Sequence, residues 1–142
     1  MAPRAGYVGV DGGLTDKEAA MTTTAREIMT PSAECARTTD TLVEAAKNHS
    51  RDLAKWDRIS HYGSDGSNPW DRVKRAGYNA KLAAENVGTG QVTVDEVMKG
   101  WQNSPGHNKN LLLMDASDMG IALVQDNKTE FKTFWTLMVG SQ

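Results

Sequence analysis

Apolar residues recur with a helical period in two stretches and crowd together in two later ones. In the first, Leu42, Ala45, Ala46, His49, Leu53 and Trp56 fall on one helical face, with Lys47, Arg51, Asp52 and Lys55 on the other. Thr41 and Glu44 have capping-box spacing and place its start near Leu42. In the second, Val94, Val97, Met98 and Trp101 form a stripe behind a Thr93/Glu96 box. That helix is expected to stop at Ser104-Pro105-Gly106, a turn that delivers His107 just beyond, while Trp101 anchors the helix on a core. Residues 119–125 and 131–140 read as strands joined by a hairpin over 126–130. Both parities are apolar, so the sheet is expected to be covered on two sides.

Between these segments the pattern is shorter. Asn68 caps a helix with Pro69 at its first position, Trp70 and Val73 facing inward and Gly77 ending it. Residues 83–88 are apolar but broken by Glu85 and Asn86, and residues 110–114 form a short apolar segment. Helices first and an antiparallel strand pair last predict an α+β layered domain. Residues 1–21 are rich in Gly and Ala, with a turn signal at Asp11-Gly12-Gly13, and are expected to be loose. A short helix over 24–29, stopped before Pro31, is expected next.

The 142 residues make one domain with room for a real core. A net charge of −2 with scattered basic residues argues against a nucleic-acid surface. Cys35 is the single cysteine, so no intrachain disulfide forms. No apolar run approaches the ~20 residues of a membrane span. The first residues lack the apolar core, about 7–15 residues long, of a signal peptide.

Three polar residues stand beside apolar anchors. His61 opens a Gly/Ser/Asp loop over 61–67, Glu85 lies between Ala and Asn86-Val87, and His107 follows the Ser104 turn. A carboxylate flanked by apolar residues is a candidate for burial and then needs partners. His49, on the apolar side of its helix, reads as a packed, hydrogen-bonded histidine. Ser104 is close to His107 in sequence, which by itself is no triad.

In order along the chain, Ala45-Ala46-Lys47-Asn48-His49-Ser50, His61-Tyr62-Gly63-Ser64-Asp65-Gly66-Ser67, Asp71-Arg72-Val73-Lys74-Arg75-Ala76-Gly77-Tyr78, Ala84-Glu85-Asn86-Val87, Gly100-Trp101-Gln102-Asn103-Ser104-Pro105-Gly106-His107, Met119-Gly120-Ile121-Ala122 and Phe134-Trp135-Thr136 resemble the CAP superfamily. That superfamily comprises cysteine-rich secretory proteins, antigen 5 and pathogenesis-related 1; the likeness is to its short bacterial SCP-like form and covers about residues 40–140. It implies an α-β-α sandwich around a central, mainly antiparallel sheet, and a cleft where His61, Glu85 and His107 converge, with Ser104 and Asn86 beside them. Brought together so, two imidazoles and a carboxylate are an open-site zinc ligand set, able to polarise a substrate or activate water; they serve equally to bind a divalent ion weakly, or to hold the cleft together by hydrogen bonds. Animal and plant members add a Glu after the Trp-bearing helix; here Gln102, Asn103 and Ser104 stand there, and the disulfides of those relatives are absent. Residues 22–47 are also similar to the opening of a cystathionine-β-synthase-type (CBS) domain, through Ala25-Arg26-Glu27-Ile28-Met29-Thr30-Pro31 and Thr41-Leu42-Val43-Glu44-Ala45-Ala46. The strands and helix that complete such a module never follow, so nucleotide binding is not carried over. The expected organisation is an N-terminal segment over 1–21, a stretch over 22–40 that is either CBS-like or the first helix and loop of the CAP domain, and a CAP/SCP-like domain over 41–142.

The resemblance implies an extracellular or cell-envelope binding module, a monomer whose cleft takes a small ligand, lipid, peptide, glycan or protein partner. A metal-assisted hydrolase using His61, Glu85 and His107, with zinc as the ion, is the alternative. With the fourth acid absent and no paired nucleophile in view, binding is favoured over turnover.

Overall fold

The computed structural model describes residues 5–8, 37–113 and 115–142. The strands are β1 (Ala5–Val8), β2 (Arg37–Thr38), β3 (Leu82–Thr89), β4 (Asp118–Asp126) and β5 (Thr133–Ser141). The helices are α1 (Asp40–Trp56), α2 (Pro69–Arg75), α3 (Val94–Gln102) and α4 (Pro105–Leu111). The sheet runs β1-β4-β5-β3 with antiparallel neighbours, and β2 pairs in parallel with the start of β4, on the side away from β5. Among the described residues strand β3 is therefore an edge.

Alternation along the central strands sorts the core into two layers. Met119, Ile121, Leu123, Trp135, Leu137 and Val139 pack against Val97, Met98, Trp101 and Leu111 of α3 and α4. On the opposite face Ala122 and Met138 meet Leu42, Ala45 and Ala46 of α1 and Val73 of α2, while Val87, Val124 and Phe134 meet Leu53 and Ala54. Both faces are covered, as the doubled apolar parity requires, and the architecture is the expected α-β-α sandwich. Gly120 lets α1 lie directly on β4: a Cβ there would overlap the Val43 amide nitrogen and come 2.8 Å from the Leu42 carbonyl oxygen.

Several local expectations change. Helix α1 starts at Asp40, earlier than the Thr41 box suggests, because β2 runs straight into it: Thr39, the N-cap, donates its amide to the Met119 carbonyl (3.0 Å). Asn68 does cap α2, in a reciprocal box with Asp71. Trp70 is 46% exposed rather than inward, because Arg72, two residues or about 200° round the helix, and Val73 take the buried side. Trp56, the last residue of α1, is 56% exposed, with the Lys55 ammonium 5.6 Å from its ring. The Ser104 turn leads not into a loop but directly into α4, with Pro105 at its first position. Proline lacks only an N–H that the first turn leaves unbonded anyway, so it starts this helix as readily as it ends the previous one. Within the N-terminal stretch expected to be loose, Ala5–Val8 pair with residues 123–126 of β4 as a strand. The short helix expected over 24–29, the CBS-like residues up to 36 and Cys35 lie outside the described residues.

Candidate functional site

The site is built across the edge strand β3. Successive side chains of a strand point to opposite faces, so Glu85 enters the α1/α2 layer and Asn86 the α4 layer. Each collects a histidine from its own side.

On the first side, Glu85 is 4% exposed and its carboxylate is fully engaged. Arg72 donates from Nη2 to Oε2 at 2.7 Å, and His61 Nδ1 lies 3.0 Å from Oε1. His49 Nε2 stands 3.6 Å from the same Oε1. Arg72 is itself 6% exposed and also donates to the backbone carbonyls of His61 (2.8 Å) and Ser67 (2.9 Å). A buried carboxylate is tolerable with such a partner, since the pair shares its desolvation cost with hydrogen bonds on both members. The loop that carries His61 is folded tightly enough to present those carbonyls. Gly63 donates its amide to Ser67 O at 2.8 Å, and a Cβ on Gly63 would come 2.5 Å from Ser67 Oγ.

His49 is fully buried, as a packed histidine should be, and its Nε2 donates to the Ser60 carbonyl at 2.7 Å. Its pKa is held below the usual histidine value, chiefly by burial. The Glu85 charge, the Ser60 carbonyl and the Asp52 charge oppose that shift, and the Arg72 charge adds to it. His49 is thus neutral, with its proton on Nε2.

On the second side, Ser104 and His107 belong to the first turn of α4, where Ser104 Oγ meets His107 Nδ1 at 3.0 Å. Asn86, 1% exposed, donates to the His107 carbonyl (3.0 Å) and accepts from Asn110 (2.9 Å). Asn110 also donates to the Glu85 carbonyl at 3.2 Å, and Trp101 donates from Nε1 to the Val87 carbonyl at 3.0 Å. Burial lowers the His107 pKa, and the nearby charge of His61 lowers it further, so the two imidazoles sense each other.

His61 and Glu85 are therefore in direct contact, while His107 is tied to Ser104 and, through its backbone, to Asn86. Among the described residues no group of three or more His, Cys, Asp and Glu side chains is placed to hold a metal ion. The reason is local. Both Glu85 oxygens are engaged, and a guanidinium lies against one of them where a cation would have to approach. A carboxylate that is ion-paired to Arg72 can only accept, so in this contact His61 carries a proton on Nδ1. Ser104 occupies Nδ1 of His107, and neither Nε2 makes a hydrogen bond among the described residues.

A cavity of about 520 Å³ lies beside this cluster, between α1 and the 63–67 loop, and shares His49 and Arg72 with it. Two of its carboxylates, Asp52 and Asp65, are already engaged. Asp52 accepts from Ser64 N and Oγ, and Asp65 accepts from Ser67 N and Arg75; the Ser67 side chain first, then the Ser67 amide and Arg75, hold the Asp65 pKa well below the usual range. His61, Glu85 and His107 do not line it.

Arg72 and His49 are the members of the cluster that the sequence did not single out as site residues. The only cue to Arg72 was its place beside Val73, one residue into the face that a short capped helix turns inward.

No helix among the described residues is long and apolar enough to cross a membrane. The chain is similar to the Bacillus subtilis protein YkwD, 33% identical over 97 residues, which is 68% of this chain and 36% of that protein. It is also similar to the B. subtilis membrane protein YlbC, 30% identical over 80 residues, 56% of this chain and 23% of the relative. The chain thus spans about a third or less of the curated relatives it matches. Among solved structures, an outer surface protein of Borrelia burgdorferi superimposes with a TM-score of 0.75 at 21% identity, covering 90% of this chain and 96% of that one. An extracellular protein containing an SCP domain, from Bacillus anthracis, gives a TM-score of 0.66 at 22% identity, covering 93% of this chain and 45% of the other. Residues 37–139 match the cysteine-rich secretory protein family, CAP, and with that match over most of its length the chain belongs to this family.

Proposed function

We propose that this is the CAP domain of an extracellular or cell-envelope protein, and that the cleft between the His61 loop and α4 binds a ligand or protein partner rather than turning one over. The observation that carries this reading is the commitment of Glu85. A general base must reach the proton it removes, and this carboxylate is buried, with Arg72 on one oxygen and His61 on the other. The similarity to an outer surface protein and an extracellular protein supports the location.

In this reading a divalent ion would be held through Nε2 of His61 and His107, with water or the ligand completing its shell. Two neutral imidazoles favour zinc over calcium or magnesium, which prefer oxygen. Bound there, zinc would act as a Lewis acid or as an anchor for a ligand's own donor atom. Zinc titration of the wild type and of His107→Ala, at about pH 7.5 and about pH 5.5, tests this. Binding should weaken as pH falls below about 6.5, the free-imidazole value, because the lowered pKa of His107 keeps that ring neutral to lower pH, and His107→Ala should lose it with the fold intact. Equal affinity in both proteins would leave the cleft as an ion-free surface. Chelator-sensitive turnover in a panel of ester, peptide and glycan substrates would replace the binding reading with the hydrolase.

A further inference from the structure

Arg72 reaches three separate parts of the cleft with one side chain. Nη2 bonds the carboxylate of Glu85 on β3 and the backbone carbonyl of His61, at 2.7 and 2.8 Å. Nη1 bonds the Ser67 carbonyl at 2.9 Å, and Ser67 O in turn receives the amide of Gly63. The guanidinium therefore holds the backbone of His61 and, independently, the acceptor that His61 Nδ1 points at. The imidazole between them is half exposed, 49% by side chain.

We infer that Arg72 is the positioning residue of the cleft: by clamping Glu85 and the 61–67 loop together it fixes the Nδ1–H tautomer of His61 and turns Nε2 towards the ligand. The inference rests on the binding reading above for what Nε2 meets, but not for the tautomer itself. It follows from the planar guanidinium, whose donors diverge in a fixed fork. Lysine at the same place offers one nitrogen at the end of a flexible stem. It neutralises Glu85 but cannot also hold the His61 and Ser67 carbonyls. With the loop released, His61 leaves Glu85 and distributes its proton between both nitrogens, as a free imidazole does.

The ring nitrogens report this directly. Long-range ¹H–¹⁵N spectra of the wild type at neutral pH should show His61 as the Nδ1–H tautomer; finding Nε2–H would overturn the proposal before any variant is made. Arg72→Lys should keep its far-ultraviolet spectrum, show a mixed His61 tautomer, leave the His107 tautomer as in the wild type, and bind zinc about 10–100-fold more weakly, the usual cost of losing an outer-shell partner. If Arg72→Lys does not fold, Arg72→Met/Glu85→Gln takes its place. It removes the buried pair as a unit, so no lone charge is stranded, and the same two losses are expected. A folded variant with the wild-type His61 tautomer would refute the positioning role. A wild type that binds no zinc would defeat the metal reading alone, because the tautomer comparison needs no ion.

Discussion

Trp101 offers a measurement in which packing and hydrogen bonding separate. It is 3% exposed, lies in the α3/α4 layer against the sheet, and spends its single N–H on the Val87 carbonyl at 3.0 Å. Trp101→Ala deletes the ring and leaves a cavity, which in a packed core costs about 3–5 kcal/mol. The full penalty of an orphaned carbonyl is not added, because the vacated space admits water to it. Trp101→Phe keeps most of the ring volume and removes the donor, leaving the carbonyl facing a hydrocarbon edge, so about 1–3 kcal/mol is expected. Against a total stability of about 5–15 kcal/mol, the alanine variant is marginal and the phenylalanine variant folds. Urea melts of the three proteins, with the slope checked for constancy, read both numbers. A loss below about 1 kcal/mol for the alanine variant, well short of the core-truncation range, would mean that the ring is not a core anchor. A phenylalanine variant as costly as the alanine one would mean that the hydrogen bond, not burial, holds α3 to the sheet.

Other expectations follow from the same contacts. His49 is neutral in the fold with its pKa depressed by burial, whereas the unfolded chain titrates near 6.5. Its stabilisation is complete above that value and falls by about 1.4 kcal/mol per pH unit below it, until the folded-state value is reached. Melts between about pH 7.5 and pH 5 should show this slope in the wild type and a shallower one in His49→Gln; the slope is not abolished, because His107 shifts in the same direction. An unchanged slope would remove His49 as its source. Gly120→Ala should destabilise by more than the ~1–3 kcal/mol of ordinary overpacking, because its Cβ meets α1 backbone rather than a movable side chain; a melt within ~0.5 kcal/mol of wild type, the range of a neutral surface change, would refute the close approach.

The layers were legible in the chain because each was written in a period. The α1 and α3 stripes and the doubled apolar strands specify two helical faces on a sheet, with no knowledge of what touches what. Glu85 was legible as a buried acid from its apolar neighbours. Arg72 was not, because a charged residue on a short helix reads as solvent-facing until its partner is known, and that partner is 13 residues away on another element. The same holds for Trp70, whose exposure follows from the inward claim of Arg72. Pro105 misled for a different reason: a proline marks a helix boundary but does not say which side of it the helix lies on, and here there is a helix on both.

Among the described residues strand β3 has no strand on its outer side, and such an edge is normally an invitation to another strand. Two of its outward carbonyls are already spoken for, Glu85 O by Asn110 and Val87 O by Trp101. An incoming chain seeking ladder partners would meet an amide and an indole in their place. The histidines can therefore sit at the rim of the sheet without turning that rim into a template for self-association.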